Sequence, residues 1–289
     1  MKKFSKIMLI TAGAFAAVGL SFSTVGAVMG AAAGDVRLLR SVKEHISETD
    51  WDDDWDDDDW DDDDHEDSRH AGSVKSSEKD GIDAYETTVP EELEIDLKNG
   101  VLIMDTHEGT ELLIEVEGDE KHSVEVKEGE KTVKIRKKET RPDTTTVTVY
   151  YPESTFFSKV DLELNAGKIE ICSDLLAEEL SIQTGAGEVI NSGTIDVTEC
   201  DLEVGAGSIE LTGLSAREIS GECGIGSLAL EIDGEQSEFY YEIECGVGKI
   251  EIGDDSYSGM AGKKTAGNKN ADRKMELECG IGDITVDFI

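Results

Sequence analysis

The chain has 289 residues and a formal net charge of −39 at pH 7, because 66 Asp and Glu residues outnumber 27 Lys and Arg residues. A surface this acidic repels the phosphate backbone of nucleic acids, which excludes them as partners. Only three prolines occur and none lies beyond position 152. Long strands can therefore pair in the C-terminal part without losing backbone donors.

Residues 1–34 are predicted to be a signal anchor, a single transmembrane helix. Three lysines precede an apolar run over residues 7–33, and about 20 apolar residues are enough to span a bilayer. A cleaved signal peptide is the alternative, because residues 31–33 are all alanine and could be cut by a peptidase. Lysines before the span predict that the remaining chain lies outside the cytoplasmic membrane, either anchored or secreted.

Residues 35–80 are predicted to form a short helical stalk followed by a disordered acidic linker. Apolar residues at 36, 39, 42 and 46 have helical spacing, and 15 of the 20 positions from 48 to 67 are acidic. Charge repulsion at this density prevents a packed core. The three tryptophans of the protein, at 51, 55 and 60, interrupt this acidic run.

Two β regions follow the linker. Residues 81–152 alternate between apolar and polar side chains, which predicts an N-terminal β region of the same domain. Residues 153–289 repeat a unit of alternating apolar residues around Gly-x-Gly, or Asn-Ala-Gly in the first unit. The second glycines lie at 167, 187, 207, 226, 248 and 282, and a near-constant period of this size is typical of stacked repeats. The longest step contains a predicted loop insertion, residues 253–274.

These units resemble the bacterial family of β-strand-repeat envelope proteins labelled putative adhesins. The similarity is carried by serial Leu-x-Val-x-x-Gly-x-Gly-x-Ile-x-Leu units, such as residues 202–211, and by the strand patterns at 93–103 and 147–152. It covers residues 82–289. It implies a β-solenoid exposed outside the cytoplasmic membrane, often in Gram-positive bacteria, and supplies no catalytic residues.

The parity of the apolar positions predicts an all-β parallel β-solenoid with about 20 residues per coil. Apolar positions change parity after each second glycine, so we interpret Gly-x-Gly as a corner that glycine makes possible. Parity places the middle residue of each corner in the core. These residues are Ala166, Ala186, Ala206, Ile225, Val247 and Ile281. A dinucleotide site is rejected, because the motif recurs and leads into strands.

Three of the five cysteines share one predicted inward column. Cys223, Cys245 and Cys279 are interpreted as small buried hydrophobic residues. Alternatively, Cys223 and Cys245 on neighbouring coils lie close enough for a disulfide. Zinc is disfavoured, since the repeats contain no Cys-x-x-Cys and no histidine.

Acidic side chains form two predicted outward columns. Stacked like charges repel by about 1 kcal/mol per adjacent pair even in water. Either the side chains splay apart in salt, or the face collects Ca²⁺ or a cationic partner, since carboxylates are ligands of hard cations. The candidate Ca²⁺ ligands are Asp161, Glu163, Asp201, Glu203, Glu222, Glu242, Glu244, Glu276 and Glu278.

No catalytic constellation is evident, because the five histidines are scattered and acids are too numerous for one pair to stand out. We interpret the chain as a non-catalytic extracytoplasmic cell-envelope protein whose solenoid binds an envelope or surface protein or glycan. One alternative is an envelope-stress accessory or signalling protein that binds a sensor or an envelope ligand. Another is a carbohydrate-active hydrolase that uses surface carboxylates.

Overall fold

The computed structural model describes residues 75–79, 82–118, 124–129, 131–137, 145–259 and 263–289. They belong to a compact unit, His70–Ile289. Apart from a short 3₁₀ turn, Gln236–Glu238, the regular elements of this part are all strands, which confirms the all-β class. No helix among these residues is long and apolar enough to cross a bilayer. The predicted membrane segment, stalk and Trp/Asp-rich stretch lie outside the described residues.

The described residues contain 21 strands. They are β1 (Lys75–Lys79), β2 (Ile82–Thr87), β3 (Glu92–Leu97), β4 (Gly100–His107), β5 (Leu112–Glu117), β6 (Val124–Glu128), β7 (Thr132–Lys137), β8 (Thr146–Pro152), β9 (Phe156–Leu164), β10 (Gly167–Ile171), β11 (Leu175–Thr184), β12 (Glu188–Asn191), β13 (Ile195–Val204), β14 (Ser208–Cys223), β15 (Ser227–Ile232), β16 (Phe239–Cys245), β17 (Lys249–Ile252), β18 (Asp255–Ser258), β19 (Lys264–Gly267), β20 (Arg273–Cys279) and β21 (Asp283–Phe288).

Two ladders of parallel strands run through this mixed, solenoid-like sheet. The first ladder has the order β7, β3, β9, β11, β13, the second half of β14, β20 and β16. The second has the order β8, β4, β10, β12, the first half of β14, β15, β21 and β17. Each coil contributes one strand to each ladder, which aligns equivalent residues of successive repeats.

Alternation along each strand determines which side chains enter the core. Leu162 and Leu164 of the first ladder are fully buried, as are Ile169 and Ile171 of the second. The side chains between them point outward, since successive residues of a strand face opposite sides. The apolar residues of both ladders form one continuous buried cluster, so burial of aliphatic columns holds the coils together.

The spatial order of the coils departs from chain order at both ends. β20 lies between β14 and β16, so the last coil of the chain is inserted between the two coils that precede it in sequence. At the other end, β3 lies between β7 and β9. Sequence alone could not reveal either exchange, because all coils share one period and one apolar pattern.

Antiparallel strands cover both ends of the two ladders. β6 pairs with β7 and β5 with β8 at one end. β19 pairs with β16 and β18 with β17 at the other. The predicted loop insertion, residues 253–274, thus contributes two strands. β1, which we had assigned to the linker, pairs with β2. These strands cover backbone donors and acceptors that would otherwise be exposed at the edges of the ladders. Because backbone pairing requires no particular side-chain pattern, the sequence did not reveal β1, β18 or β19.

Glycine is required at the corners because successive coils approach closely there. A Cβ added to Gly207 would lie 2.0 Å from the carbonyl oxygen of Gly187, and one on Gly226 would lie 1.9 Å from that of Gly207. Of the six repeat glycines, only Gly167 has a left-handed φ, at +137°. Our sequence-based reason, conformational freedom at a bend, is therefore secondary to the lack of space for a side chain.

Of the six corner residues that parity placed in the core, five are in fact exposed and one is partly buried. Val247 is 83% and Ile281 is 58% exposed. Ala166, Ala186 and Ala206 are exposed, and Ile225 is partly buried. The strand ends at the residue before the first glycine, so the two-residue period does not continue into the corner and the prediction there was wrong.

The cysteine column is buried but has a different order from the predicted one. Cys279 lies in register between Cys223 and Cys245, because its coil is inserted between theirs. The predicted contact between Cys223 and Cys245 on neighbouring coils was therefore wrong. All five cysteines are free thiols and only Cys172 is exposed, so the column serves as part of the apolar core.

Candidate functional site

The candidate site is the outer surface of the first ladder, which we call the carboxylate face. Its residues stand in columns because neighbouring strands pair in parallel register. All nine predicted Ca²⁺ candidates lie on this face. The insertion of the last coil places Glu278 between Glu222 and Glu244, and Glu276 next to Glu242. The predicted columns exist, therefore, but with an altered order of neighbours.

The face extends further than the sequence indicated. Glu94 and Asp96 of β3 pair in register with Asp161 and Glu163, so the same columns continue into the N-terminal β region. Their alternation with Leu93, Ile95 and Leu97 matches that of the later repeats. This signal was present in the sequence, but the segment lacks the Gly-x-Gly corner by which we recognised the repeats.

Basic side chains neutralise the N-terminal end of the carboxylate face. Lys134 Nζ lies 2.7 Å from Glu94 Oε2, and Arg136 Nε lies 3.2 Å from Asp96 Oδ2. Further along, Lys159 Nζ lies 3.3 Å from Glu179 Oε1. The outermost coil at this end therefore supplies the cations that balance its acidic neighbour.

The C-terminal end is neutralised by two lysines. Lys263 Nζ lies 2.6 Å from Glu242 Oε2 and also pairs with Glu276. Lys274 Nζ lies 3.5 Å from Glu242 Oε1 and 3.4 Å from Glu276 Oε2. Lys263 belongs to the segment between β18 and β19, so the insertion also provides counter-charge.

The middle of the face lacks such partners. Asp201, Glu203, Glu222 and Glu278 form a group that we call the central carboxylates. Glu222 is aligned with Glu203 on one side and Glu278 on the other. Within the described residues, no basic side chain forms an ion pair with any of these four. Like charges therefore face one another at the spacing of adjacent strands, about 4.8 Å.

The pKa shifts of carboxyl groups in the centre and at the C-terminal end have opposite directions. Burial and, to a smaller extent, the neighbouring charges of Glu278 and Glu203 together raise the pKa of Glu222 to about 7. Burial also raises the pKa of Asp201, Glu203 and Glu278. At the C-terminal end, the hydrogen bond from Lys263 lowers the pKa of Glu242. A carboxyl group with a pKa of about 7 is about half protonated at neutral pH.

The arrangement gives no direct evidence of a metal centre. In the part of the chain that the structure describes, no three or more His, Cys, Asp or Glu side chains are grouped as they would be around a metal ion. The carboxylates stand in rows along a sheet instead of surrounding one point. Calcium binding therefore stays a prediction, and it would require the side chains to reorient.

One polar cluster outside the face contains the residue types of a hydrolytic triad, a serine, an acid and a nearby histidine. Ser173 Oγ hydrogen-bonds to Asp105 Oδ1, and Thr106 Oγ1 donates to Ser173 Oγ over 3.1 Å. His107 is engaged by the backbone instead, with Nε2 2.8 Å from Glu111 O and Nδ1 3.1 Å from the amide of Gly109. Without a base on the serine, this cluster lacks the arrangement of a hydrolytic triad.

Comparison with solved structures finds similar chains of low identity. One from Clostridium sporogenes, described as a putative cell adhesion protein, is 14% identical, covers 75% of this chain and 99% of its own, and has a TM-score of 0.37. A putative adhesin from Bacteroides fragilis is 13% identical over 75% and 100% of the two chains, also with a TM-score of 0.37. A putative lipid binding protein from Parabacteroides distasonis is 12% identical over 72% and 97%, with a TM-score of 0.31. At these TM-scores the likeness carries no argument about function.

No curated protein matches this chain. The sequence model of one family does, over residues 90–287, which includes both parallel ladders and the whole carboxylate face. The chain therefore belongs to the Toastrack DUF4097 family.

Proposed function

We propose that this protein is a non-catalytic cell-envelope protein whose carboxylate face binds a cationic protein or amine-bearing glycan. In this proposal residues 1–34 anchor the chain in the cytoplasmic membrane and the acidic linker holds the solenoid-like domain away from it on the outer side. Lysines before the apolar run favour this orientation. The net charge of −39 favours cationic partners and disfavours anionic ones.

The single observation that carries the proposal is the unbalanced centre of the face. The chain provides lysines or arginine at both ends of the carboxylate columns, so the fold can accommodate counter-charges. In the centre, burial and mutual repulsion instead raise the pKa of Glu222 to about 7. A bound cation relieves that repulsion, so the free energy stored there favours binding.

A cationic probe tests this directly. We expect the full chain in detergent micelles to bind spermine in calorimetry, with an affinity that falls as salt rises. Glu203→Gln, Glu222→Gln and Glu278→Gln together should weaken binding about tenfold. The matched control removes three charges from the second ladder through Glu210→Gln, Glu231→Gln and Asp287→Asn, and should change the affinity less than twofold. Equal effects of both triple variants would contradict the proposal.

The partner itself can be sought on intact cells. The tagged full chain, its central triple variant and the second-ladder control are each crosslinked to neighbours and purified. A partner captured by the wild type and the control, but not by the central variant, is the expected result. Protease accessibility of the tag at the cell surface tests the outward orientation in the same samples. Protection of the tag would contradict the proposed location.

A second candidate, a carbohydrate-active hydrolase, is favoured by one observation. A carboxyl group with a pKa near 7 beside other carboxylates can serve as a general acid at neutral pH, and Glu222 fits that description. Release of sugars from wall glycans by the wild type, abolished in Glu222→Gln, would establish this function. Binding without release would favour the non-catalytic proposal.

A further inference from the structure

An apolar ridge, exposed at two of its three residues and partly buried at the third, runs along the corner beside the central carboxylates. It consists of Ile225, Ile281 and Val247, the middle residues of three Gly-x-Gly corners, and we call it the corner ridge. The Ile281 amide donates to Gly224 O, and the Val247 amide donates to Gly280 O, both over 2.8 Å. The three residues are therefore neighbours in space, in the order 225, 281, 247, at the spacing of adjacent coils.

The fold does not require large apolar residues at these corners. Three earlier corners carry alanine at the same place, Ala166, Ala186 and Ala206, and their coils stack through the same backbone contacts. Val247 is 83% and Ile281 is 58% exposed, and they are two of the four large hydrophobic residues exposed in the described part of the chain. Packing of the coils therefore does not explain why large apolar side chains are exposed at these corners.

Charge on the two sides of the ridge specifies the kind of partner. On one side, Glu222, Glu278 and Glu244 precede the corner residues by three positions, and their columns run parallel to the ridge. On the other side, Ser227, Asp283 and Lys249 are aligned and carry no net charge together. A matching partner presents an apolar stripe with cations along one flank.

The dimensions suit an α-helix. A helix advances about 5.4 Å per turn, close to the coil spacing of about 4.8 Å, so three turns along the ridge place one apolar residue near each ridge residue. Three residues of strand cover about 10 Å, which is about the diameter of a helix with its side chains. Lysine or arginine on one flank of such a helix reaches the carboxylates.

We propose that the corner ridge and the adjacent carboxylates bind a basic amphipathic helix of a protein partner. This inference rests on the proposed function, since the carboxylates supply the charge complementarity. It adds the ridge as a second determinant and specifies the partner as helical and amphipathic. The ridge supplies affinity through apolar burial, and the carboxylates set the orientation of the helix.

A pair of synthetic peptides tests it against the full chain in detergent micelles. The probe is an amphipathic peptide of about 18 residues, five helical turns, with leucines at helical spacing and lysines on one flank. The control peptide has the same composition in scrambled order. We expect the probe to bind at least about tenfold more tightly than the scrambled peptide, with helical circular dichroism appearing on binding.

Charge-neutral variants separate the ridge from the carboxylates. Ile281→Ser with Val247→Ser should weaken probe binding about tenfold and leave spermine binding unchanged. Phe156→Ser with Ile289→Ser, which remove exposed hydrophobic residues elsewhere, are the matched control and should leave both unchanged. Thermal unfolding of all variants checks that they fold.

Each outcome has one meaning. Equal binding of both peptides, or no effect of the ridge variant, overturns the helix proposal while spermine binding preserves the proposed function. If the wild type binds neither spermine nor the probe peptide, the proposed function itself is overturned. Sedimentation with phosphatidylcholine vesicles that depends on the ridge, without binding of the probe, overturns the helix proposal in favour of a lipid surface.

Discussion

The centre and the ends of the carboxylate face share one backbone geometry but differ in their counter-charges. At the ends, Lys134 and Lys263 lie 2.7 Å and 2.6 Å from their carboxylates. In the centre, Glu222 is aligned with Glu203 and Glu278. Since parallel register would permit a lysine at any of these positions, the absence of ion pairs from the centre, among the described residues, is a property of this sequence and not a requirement of the fold.

This difference gives the centre and the C-terminal end opposite pH dependences. The pKa of Glu242 is lowered in the folded protein, so its contribution to stability is present at neutral pH and lost as the pH falls through that lowered value. The pKa of Glu222 is raised from 4.5 to about 7. Its destabilising effect is therefore absent below about pH 4.5 and grows until about pH 7.

The second glycines of the Gly-x-Gly corners, which we call the glycine ladder, lie beside both regions and provide the largest expected effects. Gly207→Ala in the centre and Gly248→Ala at the end would each place a methyl group 2.0 Å from a carbonyl oxygen. Gly207 lies in a coil held between two neighbouring coils, so we expect a loss of about 3 kcal/mol of unfolding free energy there. The outermost coil can shift more easily, and the loss at Gly248 should be about half as large. Urea denaturation measures both.

A glycine outside the ladder serves as the control. A methyl group on Gly129 would lie 3.4 Å from Thr132 O, an ordinary contact, and Gly129→Ala should change stability by less than about 0.5 kcal/mol. Equal stability of the three variants would contradict the role of the glycines as points of close approach between coils.

Much of this fold could be predicted from local patterns. Alternation predicted the buried columns, including Leu162, Leu164 and Cys279, and the spacing of glycines located the corners. The exposure of Val247 could not be predicted by parity, because the corner interrupts the strand. The insertion of β20 between β14 and β16 also lies beyond local patterns, since repeats of one period are interchangeable in sequence.

Glu222→Gln should remove the charge that burial and neighbouring carboxylates disfavour most clearly in the centre. We expect the variant to be about 2 kcal/mol more stable than the wild type at about pH 8, after allowance for solvent screening of a half-buried group. Most of the gain should disappear at about pH 5, where the folded wild type is already protonated at this position. Denaturation at the two pH values measures the change.

The control for this experiment is Glu210→Gln on the second ladder, where the side chain is exposed. A neutral substitution there should have little effect at either pH. A gain in Glu222→Gln that did not depend on pH would show that packing, and not charge, is responsible.

Lys263→Met should have a smaller effect of opposite sign at the C-terminal end. The lysine pairs with both Glu242 and Glu276, so its loss should reduce stability by about 1 kcal/mol near pH 7. The reduction should fade as the pH falls through the lowered pKa of Glu242. Lys249→Met, which removes an ammonium 2.6 Å from Glu251 on the second ladder, should cost less. An equal loss in both variants would contradict the view that Lys263 stabilises the carboxylate face more than a lysine paired with a single glutamate on the second ladder does.

For the candidate site, as for the fold, local patterns predicted the columns but not which coils and side chains become neighbours. Sequence reasoning placed nine acids on one face and missed Glu94 and Asp96, which continue its columns. It treated the nine as equivalent, because periodicity contains no information about which lysine reaches which carboxylate. Lys263 lies within the predicted loop insertion, and Lys134 belongs to the N-terminal β region. Both come close to the columns only because the outer coils and their covering strands pack there, so the central carboxylates are defined by tertiary structure.

Calcium provides the smallest expected effect and the sharpest comparison of the two regions. If Ca²⁺ binds the face, it should bind in the centre, because Glu242 and Glu276 are already occupied by lysines. At about 1 mM Ca²⁺ and a similar dissociation constant, the melting temperature should rise by about 1–2 °C. Glu222→Gln with Glu278→Gln should abolish the rise, whereas Glu242→Gln with Glu276→Gln should preserve it. Sodium chloride of equal ionic strength is the control, and an equal shift with that salt would show that the centre responds to screening alone.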